Sequence, residues 1–276
     1  GGQVGNLIIK LPGTRKGPRR LLMAHMDTVP LCVGAQPVIR NGQIVSKNPA
    51  TALGGDNRAG CAIILAALLS ILEEGLPHPP LTFLWTVQEE VGLLGARHAS
   101  LNRLGSPALC FNWDGGAPHA AVIGATGDDH IDITVQGLAA HAGAHPEEGI
   151  SAAVVAALAI ADLQQNGWHG LIEKGRQAGS SNVGTIEGGA ATNVVTDRLT
   201  LTAECRSHNP KFRARIVQAW RRAFENAAAS VKNVHGEAGR VTFAVHDKYE
   251  SFRIPVSDPS VKEALAAVEA EGLTPF

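Results

Sequence analysis

Three short apolar runs in this chain end directly on side chains that can titrate or ligate. Residues 21–27 read LLMAHMD, residues 81–90 read LTFLWTVQEE, and residues 108–114 read ALCFNWD. Runs of this length, rich in branched and aromatic residues and bounded by Pro or Gly, predict strands over 20–24, 81–87 and 108–113, with a further strand over 7–11. Between them the pattern predicts a helix over 59–74 and a short one over 96–103. Strands alternating with helices imply an α/β layer with a largely parallel sheet. Open sheets of that kind place their sites at the ends of the strands.

From about Gly127 the pattern changes. Strands are expected over 130–135, 194–206 and 240–246 and long helices over 149–165 and 212–231, a compact α+β unit of the ferredoxin-like kind. A helix over 260–271 reads as a return to the first layer. The expected division is therefore 1–127 with 249–276 as one domain and 128–248 as an inserted second.

Composition narrows the function. Twenty-four basic against 25 acidic residues leave a formal charge of −1, so no bulk field holds a nucleic-acid backbone or an anionic membrane. An aromatic content of 4% argues against stacking platforms for bases. The apolar run 61–72, fenced by Arg58 and by Glu73 and Glu74, falls short of the ~20 residues of a spanning helix and predicts a buried core helix. Cys32, Cys61, Cys110 and Cys205 form no CxxC pair and read as small buried thiols in a reducing compartment, the cytoplasm. The chain opens Gly-Gly-Gln-Val without a Met or an export signal, so its start reads as cut.

The chemistry-bearing residues fall into four clusters. His25 and Asp27, two apart on an extended run, share a face, so one can bind a metal while the other orients it. Asp56 sits in GGDNRAG at a helix start, where it is either an N-cap or part of a backbone folded around an ion. Glu89 and Glu90 are adjacent at a strand tip, where one can ligate while its neighbour acts as general base. Asp114 precedes two glycines in what would otherwise be a plain turn. One His with several carboxylates suits Zn²⁺ or a similar ion, and the surplus of carboxylates suggests two ions sharing a bridge.

Together HMDTV, GGDNRAG, QEEVGLLGA, the Asp-Gly-Gly, GLAAHAGAHPEEGISA and GTIEGGAATNVV resemble the co-catalytic zinc peptidases of the peptidase T and carboxypeptidase G type, nearest in wording to peptidase T. The resemblance implies that His25 and Asp114 bind one metal, Asp56 bridges both, and Glu90 binds the second. It makes Glu89 the general base toward a metal-bridging hydroxide and puts Asp27 behind His25. Asn57 stands where many relatives have a second Asp, a change expected to be tolerated. The second domain then resembles the family's lid and dimerisation domain, with His141 as the oxyanion-stabilising lid histidine that reaches a neighbouring subunit. Asn193 matches a substrate contact and Arg206 a carboxylate-binding residue, a task for which a planar guanidinium is suited.

The implied activity is hydrolysis of amide bonds in short peptides, of tripeptidase or aminopeptidase type, by a homodimer with two divalent ions. Zinc is the first choice, with manganese and cobalt as alternatives. Two other readings share these residues: a deacylase of N-acyl amino acids, and an inactive, metal-poor dimerising module. Relatives supply a second metal-binding His beyond the last helix, and no other histidine of this chain lies in a matching context. Four of five protein ligands are therefore expected, with weak or single-site metal occupancy.

Overall fold

The computed structural model describes residues 3–276 as two compact units, one running to Val122 and resuming over Pro255–Phe276, the other formed by Ile123–Ile254. In the first unit β1 (Leu7–Leu11) and β2 (Arg20–His25) are followed by the hairpin β3 (Pro37–Arg40) and β4 (Gln43–Ser46). The long helix α1 (Gly55–Glu74) leads to β5 (Leu81–Thr86), two single-turn helices α2 (Leu94–Arg97) and α3 (Leu101–Leu104), and β6 (Leu109–Asn112). The sheet order is β1-β5-β2-β6, parallel across β5, β2 and β6 and antiparallel at the edge strand β1. All six residues of β5 are buried, which is why LTFLWT carries no polar alternation. The single short helix expected over 96–103 is two separate turns, interrupted by the 98–100 bend.

The hairpin β3–β4 was not among the expected elements, although Asn41 and Gly42 at its tip both take positive φ, 51° and 75°. An Asn-Gly pair between apolar runs is the sequence signal for such a two-residue turn.

The second unit opens with β7 (Gly124–Ala125) and β8 (Gly127–Gln136), then α4 (Ala152–Gln165), β9 (Gly170–Lys174), β10 (Gln177–Gly188) and β11 (Arg198–Ser207). It closes with α5 (Pro210–Ser230), β12 (Arg240–Tyr249) and β13 (Phe252–Arg253), after which α6 (Pro259–Ala270) belongs to the first unit. The five-stranded antiparallel sheet has the order β12-β8-β11-β10-β9. Its first four strands reproduce the ferredoxin-like arrangement, and β9 extends it by a hairpin not anticipated from the sequence.

Alternation fixes the faces. Ile131, Ile133 and Val135 on β8 and Leu199, Leu201, Ala203 and Cys205 on β11 join one core with Phe212, Ile216, Trp220 and Phe224 of α5 and Val155, Ala159 and Leu163 of α4. The helices are punctuated as their sequences dictate. Asn209 Oδ1 accepts the N–H groups of Lys211 and Phe212 at the start of α5, with Pro210 behind it, and Asp258 does the same for Ser260 at the start of α6.

Two expectations need correction. Helix α1 buries Gly60, Ile64 and Leu68 against the sheet but leaves Ile63, Leu65, Leu69 and Leu72 exposed, so it is a one-sided helix and not a fully buried one. At 20 residues it is long and apolar enough to cross a membrane by length and composition alone. Of the cysteines only Cys205 is buried; Cys110 is exposed because β6 is an edge strand, and all four are free thiols. Burial pushes the Cys205 thiol up to about 12.

Candidate metal centre

His25 is the last residue of β2 and is 3% exposed. Its Nε2 lies 3.0 Å from Asp56 Oδ1, 3.8 Å from Glu89 Oε2 and 3.9 Å from Asp114 Oδ2. Its Nδ1 lies 3.0 Å from the backbone carbonyl of Asp27, which holds the ring with Nε2 toward the carboxylates. The Cys61 thiol donates to the carbonyl of His25 itself, linking the strand end to α1.

Each carboxylate arrives from a different element. Asp56 stands at the start of α1 behind Gly54, whose φ of 81° turns the chain into the helix, and the Asp56–Asn57 peptide is cis. Glu89 and Glu90 follow β5 through Gln88, itself at a positive φ of 55°, and Asp114 follows β6. Potential ligand atoms of His25, Asp56 and Asp114 lie within 4.8 Å of one another, and so do those of His25, Glu89 and Glu90.

Asp27 has a task beyond what its spacing from His25 indicates. Its Oδ1 accepts the N–H of Glu89 at 3.0 Å and its Oδ2 that of Glu90 at 3.1 Å, so one carboxylate fixes the backbone of both glutamates. Three further residues escaped notice in the sequence. Asn6 Nδ2 donates to Gly95 O at 2.7 Å while its Oδ1 accepts the N–H of Val87, closing the glutamate loop at its base. A Cβ at Gly95 would lie 2.2 Å from Val87 O, and one at Gly60 would lie 2.0 Å from Trp113 O. The QEEVGLLGA and GGDNRAG patterns contained both glycines, but only the fold shows which backbone each must admit.

The electrostatics are those of a site short of positive charge. Burial raises the pKa of Glu89, Glu90 and Asp114, and neighbouring carboxylates add to it, Asp114 for Glu89 and Asp56 for the other two. Burial alone would lower the pKa of His25, but Asp114 and Glu89, together with the hydrogen bonds to Asp56 and to the Asp27 carbonyl, outweigh it and the net direction is upward. One imidazole among clustered carboxylates, each discouraged from ionising by its neighbours, fits hard or borderline divalent cations. Asn57, buried next to Asp56, accepts the Gly60 N–H through Oδ1 and has no partner for Nδ2.

In the second unit His141 and Asn193 lie on neighbouring segments: His141 bridges Val194, and Ala142 N–H donates to Asn193 O at 2.9 Å. The Nδ1 of His141 accepts the N–H groups of Gly143 and Ala144 at 3.2 and 3.1 Å. In the neutral ring those two bonds assign the proton to the exposed Nε2. Arg206 stands on β11 with Glu204 beside it and Asp128 opposite. A third group of possible ligands, Asp128, His130 and Glu204, occurs there. Both Glu204 oxygens are engaged by Arg206, so its donor set is occupied by a guanidinium.

Comparison with known proteins follows the same division. Residues 123–232 match the peptidase dimerisation domain of the M20 family, and residues 37–117 match the M42 glutamyl aminopeptidase family. The Bacillus subtilis protein YqjE is 34% identical over 269 residues, which cover 97% of this chain and 68% of that protein. A tripeptidase from Staphylococcus aureus is 32% identical with a TM-score of 0.85, the match covering 98% of this chain and 68% of that one. The aminopeptidase PepT from Bacillus cereus is 34% identical with a TM-score of 0.80, covering 99% and 69%. With this identity sustained along nearly its whole length, the chain belongs to the M20 family of metallopeptidases, among the tripeptidase and peptidase T proteins.

Proposed function

We propose that this chain hydrolyses the amide bonds of short peptides, of tripeptidase or aminopeptidase type, at a centre of two zinc ions. The reading rests above all on the buried His25 imidazole, ringed by Asp56, Glu89 and Asp114 within 4 Å. His25 and Asp114 would hold one ion, Asp56 would bridge, and Glu90 would hold the second. Such ions supply Lewis acidity to the scissile carbonyl and lower the pKa of water.

The remaining steps belong to protein groups. Glu89, with its pKa raised, takes the proton of the attacking water on a carboxylate oxygen and passes it to the leaving amine nitrogen. Asp27 keeps that carboxylate in place through the two backbone N–H groups. The Nε2–H of His141 is a donor of the kind that stabilises the oxyanion of the tetrahedral adduct. Asn193 and Arg206 orient the peptide, Arg206 through its carboxylate.

The first unit would thus be the catalytic, metal-binding domain and the second the lid and dimerisation domain, in a homodimer. Four free thiols are consistent with the cytoplasm as its compartment.

Replacing Glu89 by Gln keeps the shape and removes the base. Tripeptide hydrolysis should fall by about 10²–10⁴-fold with metal content retained. Undiminished turnover would overturn the mechanism. A parallel assay with N-acetyl amino acids separates the deacylase reading, and a protein without bound metal under saturating zinc would favour the inactive module.

A further inference from the structure

A cation lies beside the metal centre without pairing with any of its carboxylates. Arg58 stands two residues after Asp56 in the first turn of α1 and is exposed. Its Nε donates at 3.3 Å to the carbonyl of Met26, the residue between His25 and Asp27. Three positions on, along the same helix face, the Cys61 thiol donates to the carbonyl of His25 at 3.0 Å. Arg58 and Cys61 thus hold consecutive carbonyls at the end of β2. Met26 is fixed from the other side as well, its N–H donating to Thr86 O at 2.8 Å. The guanidinium is therefore tethered one residue from the His25 imidazole, and one peptide step spans about 3.8 Å.

A guanidinium has five N–H donors in one plane. Met26 takes Nε, and among the described residues no carboxylate lies within ion-pairing distance of Nη1 or Nη2. The acids nearby are engaged elsewhere. Asp27 holds the N–H groups of Glu89 and Glu90, while Asp56, Glu89 and Asp114 gather around His25 Nε2. The outer edge of Arg58, with two parallel donors, can receive a carboxylate bidentately. An acidic side chain arriving among these carboxylates is repelled unless a cation meets it, and Arg58 is placed to do so.

We propose that Arg58 is a specificity-determining residue that selects short peptides carrying Glu or Asp beside the scissile bond, binding the side-chain carboxylate through Nη1 and Nη2. The inference rests on the proposed peptide hydrolysis at this centre. Its target differs from that of Arg206, which takes the carboxylate at the end of the peptide. The Nε bond to Met26 orients the fork before the substrate arrives, so less side-chain freedom is lost on binding.

The test uses the metal-loaded full chain and two tripeptides, Glu-Ala-Ala and Ala-Glu-Ala, each against its Gln counterpart. In at least one pair kcat/KM for the Glu peptide should exceed that for the Gln peptide by about tenfold, the scale of a charge-assisted hydrogen bond. Arg58→Gln should bring that ratio close to one, with the loss in KM for the Glu peptide. Arg58→Glu should invert the preference, so that the Lys counterpart is cleaved faster than the Glu peptide. Calorimetric affinities in a Glu89→Gln background should show the same ratios without turnover. A variant that merely disturbed the start of α1 would weaken Glu and Gln peptides alike. Equal binding of the two peptides by the parent, or a preference that survives Arg58→Gln, overturns the proposal. If the Glu peptide binds preferentially through Arg58 but neither peptide is hydrolysed, the peptidase reading fails. If both are hydrolysed without preference, the assignment of Arg58 alone is wrong.

Discussion

At the residue scale, the side chains nearest the chemistry depend on neighbours that make no approach to a metal themselves. Asp27 is the clearest, because its two oxygens hold the N–H groups of both glutamates. Asp27→Ala is expected to lower kcat/KM and zinc affinity by about 10–100-fold, the usual cost of losing such a supporting group, measured by tripeptide kinetics and metal titration. The glycines are the second case. Gly60→Ala places a methyl carbon against the Trp113 carbonyl, a backbone atom that can yield only if the strand end carrying Asp114 shifts. A loss of about 1–3 kcal/mol is expected in chemical denaturation, together with a lower metal stoichiometry. The sequence exposed the candidate ligands because each ended an apolar run or opened a helix. It could not expose Asn6, whose two hydrogen bonds cross more than eighty positions to Gly95 and Val87.

Among the elements, α5 carries an ionic clamp. Arg213, with a side chain 5% exposed, donates to Asp129 on β8 at 2.9 Å and to both oxygens of Glu250, just past β12. Arg213→Ala would leave Asp129 unpaired in a nearly closed site, and a loss of about 3–5 kcal/mol is expected by denaturant titration. Arg213 holds the Glu250 carboxyl below its usual value, so the contribution of Glu250 to stability is complete above its unfolded-state pKa and is lost as pH falls through the lower folded-state value. Thermal unfolding of Glu250→Gln and the parent should therefore differ at about pH 7 and converge as the pH falls below the folded-state pKa of Glu250. Gly127 is tied to the same clamp, since a Cβ there would lie 1.8 Å from Arg213 Nη1.

Strand alternation made β8 and β11 readable, because Ile131, Ile133 and Val135 or Leu199, Leu201 and Ala203 fall on one face. Strands β9 and β10 were harder. Gly170–Lys174 has one buried residue, Ile172, and most of Gln177–Gly188 is exposed, so no apolar period marks either strand. The hairpin turn at Gly175, with a φ of 65°, was the available signal.

For the molecule as a whole, the crowded carboxylates make metal and stability inseparable. Glu89, Glu90 and Asp114 all have raised pKa values, so their ionised forms work against the fold until a cation compensates them. Removing metal with a chelator should lower the Tm, and zinc at a hundredfold excess over its Kd should restore about 2.7 kcal/mol. Asp56→Asn should shrink that shift. A Tm indifferent to both chelator and zinc would contradict a cation at this centre.

The pairing of β7 with β13 gives the second unit a further property. Ala125 faces Phe252, Gly124 faces Arg253, and the N–H of Ile254 donates to Ile123 O at 2.7 Å, so the outgoing and returning chains lie side by side. A domain whose ends meet in this way can be excised and re-spliced. A fragment of residues 123–254 keeps its own core and should unfold cooperatively by itself, and a circular permutant joining those ends by a few glycines should retain the same sheet. The insertion is in this sense a cassette, open to exchange between relatives as a single unit.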